Sequence, residues 1–249
     1  MKKIFLYILV GSLSFSACKK DDDTQTYKEP DDIATQNSYD DQAIKKYMDE
    51  NYLDAQGNIK AFSSTDTSDD NEKKLSQLDY KTLPSGTIYI IRDGAQPTTN
   101  PKTIGPSDVI KIMGRSYACL AGDNNGTISF IDTFTFLNTI SGNGVPLNDP
   151  TYYYVKQSIL TAATTDAAKQ ASYYQIPGFR EALQKFQAFD NIDNSTPYNL
   201  QGVIIVPSRA AFARNPHYPY FNVSYRNRTF IFNFQIYGRS DRPSTEVQQ

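Results

Sequence analysis

The chain has 249 residues, of which 39% are hydrophobic and 21% are charged, so it is long enough to bury a sizeable core. Its 25 Lys and Arg residues nearly balance its 27 Asp and Glu residues, and a net charge of −2 gives no electrostatic reason to expect a nucleic-acid partner. The 18 tyrosines and 14 phenylalanines, beside 13 glycines and 13 prolines, are typical of a protein rich in strands and loops. This composition argues against a collagen, a long coiled coil and a polytopic membrane protein.

Residues 1–17 have the pattern of a signal peptide. Lys2 and Lys3 precede an apolar run at 4–13, which is shorter than the roughly 20 residues that span a bilayer. The small residues before Cys18 resemble a bacterial lipobox, in which that cysteine carries lipid, and the acidic run at 21–23 is similar to the export tag of Bacteroidetes lipoproteins. We therefore expect an outer-membrane lipoprotein of the cell envelope, exposed at the surface and attached to the membrane through lipid on Cys18. An ordinary secretory signal followed by a solvated linker is the alternative.

The elements predicted along the rest of the chain form a mixed pattern of helices and strands. Residues 18–39 are polar and predict a flexible tether, while residues 40–80 predict a short amphipathic helix, from about 41 to 53, and then a polar loop. Strands are expected at residues 87–91, 108–120, 128–137, 202–207 and 229–236, with a turn at 121–126. Helices are expected at residues 153–170 and 177–186, the second with Pro177 in its first turn.

Five segments, in order along the chain, resemble the signatures of FKBP-type peptidyl-prolyl cis-trans isomerases. The most specific is Ile-Pro-Gly-Phe-Arg-Glu-Ala-Leu at residues 176–183, and the other four are residues 105–112, 126–132, 206–213 and 229–236. The resemblance is to the Bacteroidetes outer-membrane lipoprotein form, with a divergent active site. It implies an α+β fold: an FKBP-like antiparallel β-sheet wrapped around one short α-helix over residues 81–239, preceded by an N-terminal helix and interrupted by a helical insertion at about 138–172.

The same resemblance implies an activity and a site. Rotation about an X-Pro bond crosses a barrier of about 20 kcal/mol but breaks no bond, so a dry aromatic pocket that prefers the twisted amide is sufficient, and no cofactor or metal ion is expected. The expected function is peptidyl-prolyl isomerisation that assists folding, with proline-containing proteins or peptides as substrates. By position, six residues are assigned to the prolyl pocket: Phe130 and Asp132 in the wall, Ile176 and Phe179 in the floor, Phe212 at the rim and Phe232 in the far wall.

Three departures from the family pattern affect this site. Gly114 stands where the family has a pocket tyrosine, for which Tyr117 would have to substitute from a slipped register. Phe212 replaces a rim tyrosine and has no hydroxyl donor. Ile131 separates Phe130 from Asp132, which are adjacent in the family, and one extra residue reverses side-chain facing unless a bulge absorbs it. A second hypothesis therefore stays open: a catalytically degenerate FKBP-like module that binds peptides or proteins, or a structural subunit of an envelope assembly.

The single histidine and the second cysteine are given no chemical role. His217 is expected to be an exposed loop histidine, and the absence of a second histidine or a thiol cluster in the sequence argues against a metal site. Cys119 lies within a predicted strand and is expected to be a small buried hydrophobe, without a disulfide partner if Cys18 carries lipid.

Overall fold

The computed structural model describes residues 27–141 and 144–249. The predicted signal peptide and Cys18 lie outside the described residues. The helices are α1 (Ile33–Glu50), α2 (Gln157–Ala162) and α3 (Pro177–Leu183). The strands are β1 (Asn51–Leu53), β2 (Ile59–Ala61), β3 (Tyr80–Thr82), β4 (Ile88–Ile91), β5 (Lys102–Thr103), β6 (Val109–Asn124), β7 (Thr127–Asn138), β8 (Leu147–Asn148), β9 (Gln187–Ala188), β10 (Gly202–Val206) and β11 (Arg228–Ser240). None of these helices is both long and apolar enough to cross a bilayer.

Over the described residues, the centre of the fold is a seven-stranded antiparallel sheet. Six strands follow the order β3-β4-β10-β11-β6-β7, and β8 pairs with β6. The α+β class is confirmed, and the five predicted strands overlap β4, β6, β7, β10 and β11; β6 continues through residues 121–124, which were predicted as part of a turn. β6 and β7 are joined through Asn125 and Gly126, whose φ angles of 53° and 85° are those that a two-residue hairpin turn requires.

The sheet is buried on both faces. Ile204 and Val206 of β10 face the cluster that contains α3, whereas Val203 and Ile205 face the cluster that contains α1, because successive side chains of a strand point to opposite sides. We call these the α3 face and the α1 face. Cys119 lies on the α1 face with 1% of its surface exposed, which confirms the prediction of a buried small hydrophobe, and burial raises the pKa of its thiol to about 12.

The N-terminal helix begins earlier than the sequence predicted. α1 starts at Ile33 instead of Asp41, because the Asp32 side chain caps it by accepting hydrogen bonds from two backbone N–H groups of the first turn. The Tyr27 hydroxyl donates to Gln36 Oε1 at 2.8 Å. Residues 27–39 of the predicted flexible tether are therefore part of the folded domain. The sequence did not indicate this helix start, because the segment is polar and its composition resembles that of a flexible tether.

The helix predicted at residues 153–170 is largely wrong. Only α2, six residues long, is α-helical in this range, and it buries none of its side chains. Without packing, a helix this short is not extended by propensity alone. The buried part of the insertion is instead the run of Tyr152, Tyr153 and Tyr154, which lies before α2 and packs against the α3 face.

Candidate functional site

Four of the six predicted site residues lie together on the α3 face. Ile176, Phe179, Phe212 and Phe232 belong to one cluster, and each is at most 2% exposed. Ile176 precedes the first residue of α3, and Pro177 at that first position has a φ angle that suits the start of a helix. The rings of Phe179 and Phe232 are in contact, with centroids 4.2 Å apart. The predicted floor and far wall are thus brought together.

Phe130 lies on the opposite side of the sheet, so its assignment to the same pocket wall is corrected. β6 pairs Leu120 with Asp132 but Ala121 with Phe130, which leaves Ile131 as the extra residue of a β-bulge. The bulge turns Phe130 onto the α1 face, where its ring lies 5.9 Å from that of Tyr47 in α1.

Asp132 is also placed differently from its prediction. Its carboxylate forms an ion pair with Arg228 at 2.5 Å, and 56% of its side chain is exposed. The Arg228 guanidinium in turn lies 4.6 Å above the Phe134 ring. Asp132 therefore belongs to a surface contact between β7 and β11 and does not line the cluster around Phe179.

Tyr117 does not substitute for the tyrosine that the family has at Gly114. Gly114 pairs with Phe234, and a Cβ atom at Gly114 would lie 2.3 Å from the Asn233 carbonyl oxygen, so the position has no room for a side chain. Tyr117 packs against the α1 face. Neither residue supplies a hydroxyl to the α3 face.

Phe212 was predicted at the rim of the prolyl pocket, but it is buried, and the ring of His217 packs against it. The two rings stack with centroids 5.0 Å apart. His217 Nε2 accepts a hydrogen bond from the Tyr225 N–H at 2.8 Å, and Nδ1 lies 2.8 Å from the Asn215 carbonyl oxygen. His217 therefore connects residues of its own loop through hydrogen bonds and is not the plain solvent-exposed residue that was predicted. Among the described residues, no group of three His, Cys, Asp or Glu side chains is arranged to hold a metal ion.

The space beside Phe179 is filled by Tyr152, which comes from the insertion. The Tyr152 ring centroid lies 5.6 Å from that of Phe179 and 5.8 Å from that of Phe232, on which it stacks at 29°. The Tyr152 carbonyl oxygen also accepts a hydrogen bond from the Ile176 N–H at 2.9 Å. Tyr152 thus occupies both the aromatic floor and the backbone donor at the start of α3.

The hydroxyl of Tyr152 is buried and has no hydrogen-bond partner among the described residues. Burial raises the pKa of this phenol. Other tyrosines of the same region behave differently, since each donates its hydroxyl to a backbone carbonyl 2.5–2.8 Å away: Tyr153, Tyr220, Tyr225 and Tyr237. An unpaired buried hydroxyl costs about 1–3 kcal/mol, so Tyr152 is held in place at a cost that its neighbours do not carry.

A cleft of about 220 Å³ lies outside Tyr152. Its floor is Phe136, which is 2% exposed, and its rim is Phe221, which is 70% exposed. The rest of its lining is Leu137, Leu147, Asp149, Pro150, Thr151, Tyr152 and Tyr220. Pockets for drug-sized ligands occupy about 300–1,000 Å³, so this cleft has room for one ring-sized side chain.

Both walls of the cleft contain backbone in the left-handed region. Phe221 has a φ of 57°, Asn222 a φ of 60° and Asp149, on the other wall, a φ of 53°. Asparagine and aspartate tolerate this region, but for a bulky residue such as Phe221 it costs of order 1–3 kcal/mol. The rim is therefore held in a shape that its residues do not prefer on their own.

Sequence reasoning missed the residues that form this cleft. Phe136 is surrounded by the rings of Tyr152, Tyr220 and Phe221, with centroids 5.3–6.2 Å away. Two signals were available: the alternation of Phe134 and Phe136 along β7, and three consecutive tyrosines in an otherwise polar insertion.

Comparisons with known proteins identify no family. No protein-family model and no curated protein matches the chain. Among solved structures, the crystal structure of FkpA from Escherichia coli matches with a TM-score of 0.33 and 18% identity, over 66% of this chain and 53% of that chain. The matched region thus spans about half the length of FkpA. Membership of the FKBP family stays a prediction that rests on the five sequence motifs.

Proposed function

We propose that this chain is an FKBP-like peptide-binding module of the cell envelope, which holds a proline-containing segment in the cleft that Phe136 and Phe221 line. The observation that carries the proposal is the combination of a buried aromatic floor with a strongly exposed aromatic rim. Aromatic side chains bind proline rings through apolar contact, and a cleft of about 220 Å³ suits a single ring. The backbone of an extended peptide would continue across the exposed rim.

The same geometry favours binding over catalysis. Isomerisation requires a dry pocket that encloses the twisting amide. Here Phe179 and Phe232 are covered by Tyr152, and the Asp132 carboxylate is engaged by Arg228. We expect the protein in this state to bind peptides without accelerating the isomerisation of their X-Pro bonds.

Peptidyl-prolyl isomerase activity is the second candidate function, and one observation favours it. Tyr152 lines the cleft and also contacts Phe179, and its hydroxyl has no partner among the described residues. A substrate that displaced Tyr152 would reach the predicted floor at Phe179 and the N–H group of Ile176. An isomerase assay on the unmodified protein distinguishes the two candidates, since only the second predicts acceleration.

Binding is tested by calorimetric titration of the mature chain with the tetrapeptide Ala-Leu-Pro-Phe. Phe221→Ala should weaken binding at least tenfold, about 1.4 kcal/mol, because it removes the exposed rim. Ile33→Ala is the matched control, since Ile33 is also an exposed apolar residue, at 57%, but belongs to α1. Equal affinities of the Phe221→Ala variant and the wild-type chain would reject the cleft as the site.

We also propose that this module is attached to the outer membrane by lipid on Cys18. The support is the lipobox-like run before that cysteine and the acidic residues that follow it. Attachment would keep the cleft close to the membrane surface, where its peptide partners would be envelope proteins.

A further inference from the structure

The last residues of the chain lie against the insertion. We call residues 242–249 the strap and residues 149–156 the gate. The Arg242 side chain is fully buried, donates to the Asp149 carboxylate at 2.9 Å and pairs with Glu246 at 3.2 Å. Lys156 completes the cluster through Asp149 at 3.4 Å and Glu246 at 3.0 Å. Two cations and two carboxylates thus join the strap to both ends of the gate.

Further contacts fix the strap between these ends. The Gln248 N–H donates to the Tyr154 hydroxyl at 2.8 Å, and its side-chain amide donates to the Val155 carbonyl at 2.6 Å. The Arg242 guanidinium lies 4.2 Å above the Tyr154 ring. The strap therefore contacts the gate at both of its ends, and Tyr152 lies between these contacts.

The attraction between the opposite charges of this cluster outweighs the penalty that burial places on their charged forms. Burial works against the charged form of Asp149, but its hydrogen bonds and ion pairs with Arg242 and Lys156 outweigh that effect and hold its pKa below the usual value. Because the Arg242 side chain is fully buried, these pairs are screened by salt less than surface pairs are.

The Tyr152 side chain is held by ring packing, but it has no polar contact of its own among the described residues to fix it beside Phe179. Its hydroxyl is buried and unpaired in the described structure, and the gate begins at Asp149 in a left-handed conformation. Its ring separates the cleft from Phe179, and its carbonyl occupies the Ile176 N–H. If Tyr152 moved away, the cleft would extend to an aromatic floor and a free backbone donor.

We propose that the strap is an intramolecular lock, which holds Tyr152 over Phe179 and whose release deepens the peptide cleft into a pocket floored by Phe179. The regulatory meaning of this lock rests on the proposed peptide-binding function, because the lock controls that same cleft. A peptide that competes for the strap, or a partner that binds it, would open the pocket.

Hydrogen exchange of the mature chain, followed by mass spectrometry, tests the lock without any peptide. Arg242→Ala should accelerate exchange in the gate roughly tenfold or more and leave β10 and β11 unchanged. Lys156→Ala should act in the same direction, and because Lys156 is 37% exposed this variant decides the question if Arg242→Ala does not fold. Lys169→Ala is the control, since Lys169 lies in the same insertion but pairs only with the exposed Asp166.

A titration with Ala-Leu-Pro-Phe separates the lock from the proposed function. Faster gate exchange with tighter peptide binding in the Arg242→Ala and Lys156→Ala variants supports both. Faster gate exchange in a chain that binds no peptide supports the lock and rejects the peptide-binding function. Gate exchange that is unchanged from wild type in the folded variants overturns the lock, whatever the peptide does.

Discussion

Tyr152 and Tyr153 are neighbours that differ in what their hydroxyls contact. The Tyr153 hydroxyl donates to the Gly105 carbonyl at 2.5 Å, whereas that of Tyr152 is buried without a partner among the described residues. Tyr153→Phe should therefore lower the free energy of unfolding by about 1 kcal/mol, and Tyr152→Phe should leave it unchanged or raise it by up to about 1 kcal/mol. Urea denaturation of the two variants measures this difference. An equal loss in both would mean that the Tyr152 hydroxyl is bonded in solution.

Burial of Phe179 predicts a large loss of stability when its ring is removed. It is fully buried against Phe232, so Phe179→Ala should lower the free energy of unfolding by about 3–5 kcal/mol. Phe221→Ala, at an exposed position, should change it by no more than about 0.5 kcal/mol. Thermal or chemical denaturation of both variants checks this contrast. A Phe179→Ala chain as stable as wild type would show that Phe179 lines an open pocket, as the sequence resemblance implied.

The sequence predicted site residues correctly where side chains alternate regularly between the two faces of a strand. The Phe230, Phe232 and Phe234 alternation places Phe232 on the same face as α3, which the structure confirms. Phe130 was not predictable in this way, because the bulge at Ile131 reverses facing and its position depends on tertiary pairing with β6. The run of three tyrosines that contains Tyr152 indicates burial, but it does not indicate that this run packs against the distant helix α3.

A buried aspartate connects α1 to the turn that follows β10. The Asp40 carboxylate accepts a hydrogen bond from the Ser208 N–H at 2.9 Å and another from the Gln36 side-chain amide at 3.0 Å. Burial raises the pKa of Asp40 more than these hydrogen bonds lower it. The folded chain therefore keeps the Asp40 proton to a higher pH than the unfolded chain does.

This difference predicts a pH dependence of stability. Because the folded pKa is raised, the contribution of Asp40 is greatest near or below the ordinary aspartate pKa of about 4 and is lost as the pH rises through the folded value. From about pH 4 to pH 7, wild type should thus lose stability relative to Asp40→Asn, as measured by urea unfolding. Asp31→Asn, at an exposed aspartate before α1, is the control. A constant gap between wild type and Asp40→Asn would contradict the prediction.

Elements differed in how well local sequence determined them. β10 was predicted to within one residue of its observed bounds, because a run of Val and Ile between Gly202 and Pro207 specifies a buried strand. The start of α1 was predicted too far along the chain, because its first two turns, from Ile33, are polar. These turns are fixed by tertiary contacts such as that of Gln36 with the Ala121 carbonyl. Residues 153–170 were predicted as one helix from the spacing of apolar residues such as Ile159, but Ile159 is 38% exposed and α2 buries none of its side chains, so no packing extends the helix.

The proposed molecule consists of a lipid anchor at Cys18 followed by a peptide-binding domain. Cys18→Ala should abolish lipid labelling of the chain and move it from the membrane fraction to the soluble fraction, because Cys18 is the proposed lipid attachment site. Cys119→Ala is the control, since Cys119 is buried on the α1 face and should leave labelling unchanged. Growth with labelled palmitate and cell fractionation measure both. Unchanged labelling of the Cys18→Ala chain would reject the anchor.

The central claim is that the domain binds proline-containing peptides at the Phe136–Phe221 cleft while Tyr152 keeps the Phe179 floor closed. Two-dimensional exchange NMR of a proline tetrapeptide in the presence of the isotope-labelled mature chain tests both halves in one sample. We expect saturable chemical-shift changes that are confined to residues of the cleft. We also expect the peptide to interconvert between cis and trans at its uncatalysed rate, with a time constant of about tens to hundreds of seconds. Exchange cross-peaks that require faster interconversion, or an absence of shifts at the cleft, would contradict the central claim.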